Sequence, residues 1–302
     1  HKNNEMSWDP SIKMFKSYLQ IERSLSKNSI DAYLRDVRKF ANYAKKINVN
    51  ELNITKDHIT AFIAELKDSN ISARSQARII SGIKAFYKYL ILEDYIKIDP
   101  TELIESPKIG LKLPDTLSLV EIDNLINAID LSSKQGERNR AIIETLYSCG
   151  LRVSELINLQ LTNIYFKDSY MKVLGKGDKE RLTPMGGRVI KYLTIYINEI
   201  RNHQNIKKGH EDFVFLNNRG AKLTRVMIFL IIQKLAEKIG LKKNISPHTF
   251  RHSFATHLIE GGADLRAVQE MLGHESITTT EIYTHLDKDY LRSNIIQFHP
   301  RS

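Results

Sequence analysis

The sequence has few of the residues on which small secreted proteins and membrane proteins depend. Its 302 residues include one cysteine, Cys149, which excludes a disulfide framework and a cysteine-rich zinc module. No run approaches the roughly 18 consecutive apolar residues of a membrane-spanning helix, and the N-terminus lacks the basic-then-apolar pattern of a signal peptide. We therefore expect a cytoplasmic protein that does not enter a membrane.

Positive charge, by contrast, is in excess. There are 45 Lys and Arg residues against 35 Asp and Glu, a net charge of +10. The excess is spread along the chain instead of forming a tail, which favours folded basic surfaces and a polyanionic partner. Hydrophobic residues make up 42% of the chain. That share, at this length, is enough for two domains with real cores and excludes a disordered chain.

The first hundred residues predict four helices that share one core, because apolar residues recur there at helical spacing. The predicted segments are about 12–21, 30–41, 55–67 and 72–92. Prolines at positions 100, 107 and 114 then exclude a continuous helix. We place a helical domain at 1–106, a linker at 107–115 and a second domain at 116–302.

The second domain predicts helices around a small antiparallel hairpin. Strand-like residues at 170–174 and 181–184 flank a glycine-rich turn, Gly175-Lys-Gly-Asp-Lys-Glu. A shorter strand-like stretch at 164–166 precedes them. The predicted helices are about 118–129, 139–148, 186–203, 225–239, 247–260, 264–272 and 278–296. The expected fold class is therefore mainly α, with a four-helix N-terminal domain and a mostly helical second domain that carries a small β-sheet.

Two basic residues lie at positions suited to an anion. Arg152 follows Gly150, which ends one predicted helix, and lies near the start of the next one. Arginine stays charged and can hold two phosphate oxygens at once. Lys176 occupies the hairpin turn, from which its ammonium can supply a charge or a proton. Taken singly, these residues are better explained as a surface arginine paired with Glu155 and a solvated turn lysine.

The segment Ser246-Pro-His-Thr-Phe-Arg-His252 begins a helix with a good cap and a proline at the first position. His248 and Arg251 then share one face of its first turns, where free N–H groups suit a phosphate. His248 and His252 are spaced as zinc ligands can be. The glutamate of the zinc-protease motif is absent, however, because position 249 is Thr, so no metal and no other cofactor is expected.

Two further residues lie near the end of the chain. His274 follows Gly273, which ends a predicted helix, and Tyr283 belongs to Glu281-Ile-Tyr-Thr-His285. A single tyrosine is usually a packing residue with a bonded hydroxyl. In isolation, therefore, neither residue indicates chemistry.

Together, however, the ordered motifs closely resemble the tyrosine recombinase family, and in particular its Xer-type site-specific recombinases. The motifs are Gly150-Leu-Arg-Val-Ser-Glu-Leu, Gly175-Lys-Gly-Asp-Lys-Glu-Arg, His248-Thr-Phe-Arg-His, Leu272-Gly-His and Ile282-Tyr-Thr-His. The resemblance covers essentially the whole chain. It implies a core-binding domain followed by a catalytic domain that cleaves and rejoins DNA through a 3′-phosphotyrosine and a Holliday junction.

The resemblance also implies a role for each site residue. Arg152 and Arg251 resemble the phosphate-binding arginines, and Lys176 the hairpin lysine. His248 and His274 resemble the two active-site histidines, and Tyr283 the nucleophile. For contact with DNA we select Arg74, Arg78 and Lys84 on one N-terminal helix, with a solvated helix face as the alternative.

The family's assembly implies further partners. These are a double-stranded recombination site, a homotetramer or a heterotetramer with a paralogous recombinase, and a cell-division DNA translocase. The C-terminal segment 290–302 is expected to dock on a neighbouring protomer. Chromosome dimer resolution and integration or excision of a mobile element both fit the sequence. Two other functions stay open: a type IB topoisomerase-like nicking and closing enzyme, and a catalytically silent DNA-binding accessory protein.

Overall fold

The computed structural model describes residues 7–109, 115–273 and 285–302, without the side chains of residues 176 and 285–287. The chain divides into two compact units, His1–Lys112 and Leu113–Ser302. The division falls inside the segment predicted as a linker. The limits of that linker stay a prediction, because residues 110–114 lie outside the described part. None of the described helices has the length and apolar composition needed to span a bilayer.

The described residues of unit 1 form four α-helices, as the periodicity predicts. They are α1 (Trp8–Ile21), α2 (Lys27–Lys46), α3 (Lys56–Asp68) and α4 (Ala73–Leu92). Serine or threonine side chains cap the last three helices by accepting backbone N–H groups at Ser29, His58 and Ser75. Aromatic rings from α1, α2 and α4 meet in the shared core, where Trp8 contacts both Phe40 and Phe86. The prediction of an N-terminal helical domain is therefore confirmed.

Unit 2 places helices around a three-stranded antiparallel sheet in the order β1-β2-β3. The strands are β1 (Ile164–Tyr165), β2 (Tyr170–Leu174) and β3 (Glu180–Pro184), and Val173 of β2 pairs with Arg181 of β3. The helices are α5 (Leu119–Asn127), α6 (Gly136–Cys149), α7 (Val153–Ile157), α8 (Gly187–Ile195), α9 (Arg225–Lys238), α10 (Pro247–Glu260), α11 (Leu265–Leu272) and α12 (His285–Phe298). The mainly α fold with a small sheet is thus confirmed. The predicted start of the last helix, at 278, lies outside the described residues.

One predicted helix, 186–203, differs in its second half. Helix α8 ends at Ile195 and continues as a wide π-type turn over Tyr196–Ile200. In this wider turn, residues that are five positions apart lie closer to the same face than they do in an α-helix. Tyr196 and Arg201 are consequently both buried, and Arg201 donates hydrogen bonds to the carbonyl of Phe213.

Candidate active site

Arg152 owes its position to an abrupt change of direction between α6 and α7. Gly150 ends α6 in the left-handed region, with φ 62° and ψ 31°. Arg152 then precedes α7 in an extended conformation, and its backbone N–H donates to Glu155 Oε1 at 2.7 Å. About a third of its side chain is exposed. The arginine is thus anchored through its backbone while its guanidinium can reach a ligand.

Arg251 lies on α10 and is almost fully enclosed, with 8% of the residue exposed. Its Nη1 donates to the carbonyl of Gly150 at 2.7 Å, and its Nη2 donates to the carbonyl of Leu272 at 2.5 Å. The side chain therefore joins the end of α6 to the end of α11. The bond to Gly150 brings Arg251 close to Arg152, which is 99 positions away in sequence.

Glu155 lies between the two arginines and is 4% exposed. Arg251 Nη1 is 3.7 Å from its Oε1, and Arg152 Nη1 is 3.8 Å from its Oε2. Arg181, from β3, donates both Nη groups to the same carboxylate, one of them at 2.9 Å. Burial acts to raise the pKa of Glu155, but the hydrogen bonds and charge of Arg181 outweigh it, so the pKa is lowered. Glu155 is therefore ionised at neutral pH.

The described part of this cluster carries more positive than negative charge. Three guanidinium groups share the single carboxylate of Glu155, which leaves an excess of two positive charges. Burial lowers the pKa of Arg251 to about 10, with a contribution from repulsion by Arg152 and Arg181. Arg251 still stays charged at pH 7. An anion that contacts Arg152 and Arg251 would offset this excess, so the arrangement suits a phosphate group.

The other predicted catalytic residues are described to different extents. His248 is exposed in the first turn of α10, one turn before Arg251. Lys176 begins the short turn Lys176–Asp178 between β2 and β3, and its side chain lies outside the description. His274 and Tyr283 both lie outside the described residues. The structure thus brings Arg152 and Arg251 together and places His248 on the helix of Arg251.

The three predicted DNA contacts all lie on α4 of unit 1. Arg74 is exposed and Lys84 is half-buried. Arg78 donates its Nε and Nη2 to the buried carboxylate of Asp36, at 3.1 and 3.0 Å. About half of the Arg78 side chain is exposed despite this pair. Contact of these residues with DNA stays a prediction.

The C-terminal segment is packed on its own unit. Arg301 is 4% exposed, and its guanidinium donates three hydrogen bonds to the buried carboxylate of Glu144, at 2.8 to 3.1 Å, and one more to Asp123. The ring of His299 lies against Tyr147, with 5.0 Å between ring centroids. Docking of this segment on a neighbouring protomer stays a prediction.

Sequence reasoning missed the central residues of the cluster. Glu155 entered only as a surface partner of Arg152, and Arg181 only as the last letter of a motif. One signal was available, because strand residues alternate between two faces. Arg181 and Thr183 occupy the buried positions of β3. A charged residue at an inward position of a strand indicates a buried partner.

Comparison with known proteins gives matches to both units. The model of the Phage integrase family matches residues 116–289, and that of the phage integrase N-terminal SAM-like domain matches residues 12–94. The chain is similar to tyrosine recombinase XerD of Staphylococcus aureus strain N315, with 46% identity over 292 residues that cover 96% of this chain and 99% of the relative. XerD of Staphylococcus haemolyticus is 44% identical with the same coverage.

Two solved structures are similar across most of the chain. The XerH site-specific recombinase bound to a palindromic difH substrate, in a post-cleavage complex, is 25% identical with a TM-score of 0.71, covering 93% of this chain and 83% of that one. A lambda integrase (75-356) dimer bound to a COC′ core site is 17% identical with a TM-score of 0.72. That alignment covers 92% of this chain and all of that one. The second likeness is one of fold alone.

Proposed function

The chain belongs to the phage integrase family of tyrosine recombinases, and we propose that it is a site-specific DNA recombinase that cuts and rejoins strands through a 3′-phosphotyrosine and a Holliday junction. The observation that carries the proposal is the cluster of Arg152 and Arg251 around Glu155, with its excess positive charge. The family's motifs, present in order along the chain, supply the other residues of the reaction.

In this proposal Arg152 and Arg251 bind the scissile phosphate. Attack on a phosphodiester builds negative charge on the non-bridging oxygens, and preorganised guanidinium groups stabilise that charge. Arg251 is already held by two backbone carbonyls, so little reorganisation is needed when DNA binds. Arg152, which is more exposed, approaches the phosphate from the surface side.

The remaining four residues handle protons and the covalent bond. Tyr283 attacks the phosphorus, and since a free tyrosine has a pKa near 10 it must lose its proton to a base or be stabilised by nearby cations. His248 is the proposed proton acceptor, and His274 donates a hydrogen bond to the phosphate. As the bond between phosphorus and the 5′-oxygen breaks, Lys176 gives that oxygen a proton, which makes it the free 5′-hydroxyl. The phosphotyrosine conserves the bond energy, so a 5′-hydroxyl from another strand completes the exchange.

Binding to duplex DNA is proposed to use both units. The cations of α4, namely Arg74, Arg78 and Lys84, would contact phosphates. Together with the net charge of +10, these contacts would make the affinity for DNA steeply salt-dependent. Strand exchange between two sites requires four protomers, either of one kind or of two paralogues. We retain a cell-division DNA translocase as a proposed regulator and the cytoplasm as the proposed compartment.

A nicked suicide substrate tests the chemistry. Cleavage near a nick releases a short strand and traps the protein on DNA, so the wild-type chain should form a covalent adduct that denaturing electrophoresis detects. Tyr283→Phe should bind the same DNA and form none, because it lacks the attacking oxygen. An adduct that persists in Tyr283→Phe would refute the assignment. Absence of an adduct with the wild type, on a site that it binds, would refute the activity itself.

Two further measurements define the reaction and its setting. A plasmid that carries two sites should yield recombinant products, whereas relaxation of supercoils alone would indicate a nicking and closing enzyme. Footprinting on genomic DNA should then locate the site. A single chromosomal site would support chromosome dimer resolution, and a pair of sites at the ends of an element would support integration and excision.

A further inference from the structure

Arg181 makes more contacts inside the candidate site than a structural residue of a hairpin needs. It lies in β3 at an inward position and is 5% exposed. Both Nη groups bind the carboxylate of Glu155, while Nε donates to the carbonyl of Met271 at 2.8 Å. One planar side chain therefore connects β3, α7 and the end of α11.

The carboxylate that Arg181 holds is also the one nearest to both phosphate-binding arginines. Glu155 Oε1 accepts the Arg152 backbone N–H at 2.7 Å and lies 3.7 Å from Arg251 Nη1. A fork of two parallel hydrogen bonds fixes the plane of a carboxylate as well as its position. The orientation of Glu155, and hence the placement of Arg152 and Arg251, depends on Arg181.

The end of α11 is held by two arginines together. Arg181 binds the carbonyl of Met271, and Arg251 binds the next carbonyl, that of Leu272. These are among the last carbonyls of a helix, which have no partner within it and carry its negative dipole end. The contact is close, because a Cβ on Gly273 would lie 2.9 Å from Arg181 Cδ. In sequence, His274 follows directly.

We propose that Arg181 is a positioning residue for the DNA cleavage reaction, one that keeps Glu155 from drawing Arg152 and Arg251 away from the scissile phosphate. The proposal rests on the function proposed above. Without Arg181, the buried carboxylate would have only those two arginines as charged partners among the described residues. The attraction of Glu155 would then act on those two guanidinium groups alone, and for Arg251 it would compete with the two carbonyl bonds that hold the side chain in place. Arg181 therefore acts through the two arginines and touches no substrate itself.

A pair of DNA substrates separates positioning from folding. One has an ordinary phosphate at the mapped cleavage position, and the other has a methylphosphonate, in which a methyl group replaces a charged oxygen. Because the methylphosphonate carries no negative charge, its cleavage depends less on correctly placed arginines. Arg181→Met should therefore slow adduct formation about 10²-fold on the phosphate, the scale expected for misplaced catalytic groups, and by much less on the methylphosphonate.

Two other variants complete the design. Arg181→Lys keeps the charge but lacks the planar fork that fixes the plane of the Glu155 carboxylate through two parallel bonds. Its loss should therefore be intermediate and should also shrink on methylphosphonate DNA. Arg201→Met is the matched control. Arg201 is also buried, with 2% of the residue exposed, and it donates to the backbone carbonyls of Phe213 and Glu211. Any loss in this control should be the same on both substrates.

The outcomes are distinct. An equal deficit of the Arg181 variants on both substrates, or a wild-type rate for Arg181→Met, would overturn the positioning role and leave the proposed function intact. Failure of the wild type to form any adduct would overturn both. If Arg181→Met does not fold, as judged by circular dichroism, the ratio of rates for Arg181→Lys on the two substrates decides.

Discussion

Replacement of Gly150 by alanine should destabilise the second unit by more than its backbone conformation explains. Gly150 has a φ of 62°, and a Cβ built there would lie 2.5 Å from Cδ1 and 2.8 Å from Cε1 of Phe254. Phe254 is fully buried, so its ring cannot move aside freely. The variant therefore combines a left-handed alanine with an overpacked core.

The magnitude follows from these two costs and one gain. A left-handed non-glycine residue costs about 1–2 kcal/mol, and overpacking a core costs about 1–3 kcal/mol. Alanine also restricts the unfolded chain, which stabilises the folded state by about 0.4–1 kcal/mol. We therefore expect Gly150→Ala to lower the free energy of unfolding by roughly 2–4 kcal/mol.

Gly240 offers a matched control, since its φ is 65° and a Cβ there would meet no atom within 4 Å. Gly240→Ala has the unfavourable backbone conformation without the clash, so its free energy of unfolding should fall by only about 1 kcal/mol. The difference between the variants, about 1–3 kcal/mol, isolates the contact with Phe254.

Urea unfolding followed by circular dichroism measures both variants. Labelling of Cys149, the only cysteine and a fully buried one, reports specifically on the second unit. Equal destabilisation by the two alanines would refute the argument. Gly150→Ala should also slow adduct formation more than Gly240→Ala, because the Gly150 carbonyl binds Arg251 Nη1.

Two further predictions concern the C-terminal segment and the first unit. Burial, followed by repulsion from His257 and Arg301, lowers the pKa of His299 from 6.5 to about 4. As the pH falls, the imidazole is therefore protonated in the unfolded chain before it is protonated in the folded protein. The free energy of unfolding that this difference contributes is complete above pH 6.5, and it should fall by about 3 kcal/mol as the pH approaches 4. In His299→Asn, the Oδ1 can replace the Nδ1 that accepts the backbone N–H of Arg301. This variant should lack the decline when urea unfolding is measured across that pH range. An unchanged pH dependence would contradict the assignment. Arg74→Ala should weaken DNA binding and reduce the slope of log affinity against log salt by about 1, and an unchanged slope would exclude a phosphate contact.

Much of the fold could be predicted because periodicity and end signals act locally. Three residues mark helix ends in the structure, namely the serine at position 72, the glycine at position 150 and the proline at position 247. The π-type turn after Ile195 could not be predicted. It depends on which side chains are buried against the loop at 211–216, a contact that no local pattern encodes.

The residues of the candidate site divide in the same way. The sequence alone determined the order of the motifs and the family they resemble, and from these the roles proposed for Arg152, His248 and Arg251, because motif order and residue type are read directly along the chain. Only the tertiary structure decided that Glu155 is buried among three arginines and that Arg181 comes from strand β3 to hold it. The strength of an ion pair between distant segments depends on how deeply it is buried, and burial is set by the packing of the whole unit.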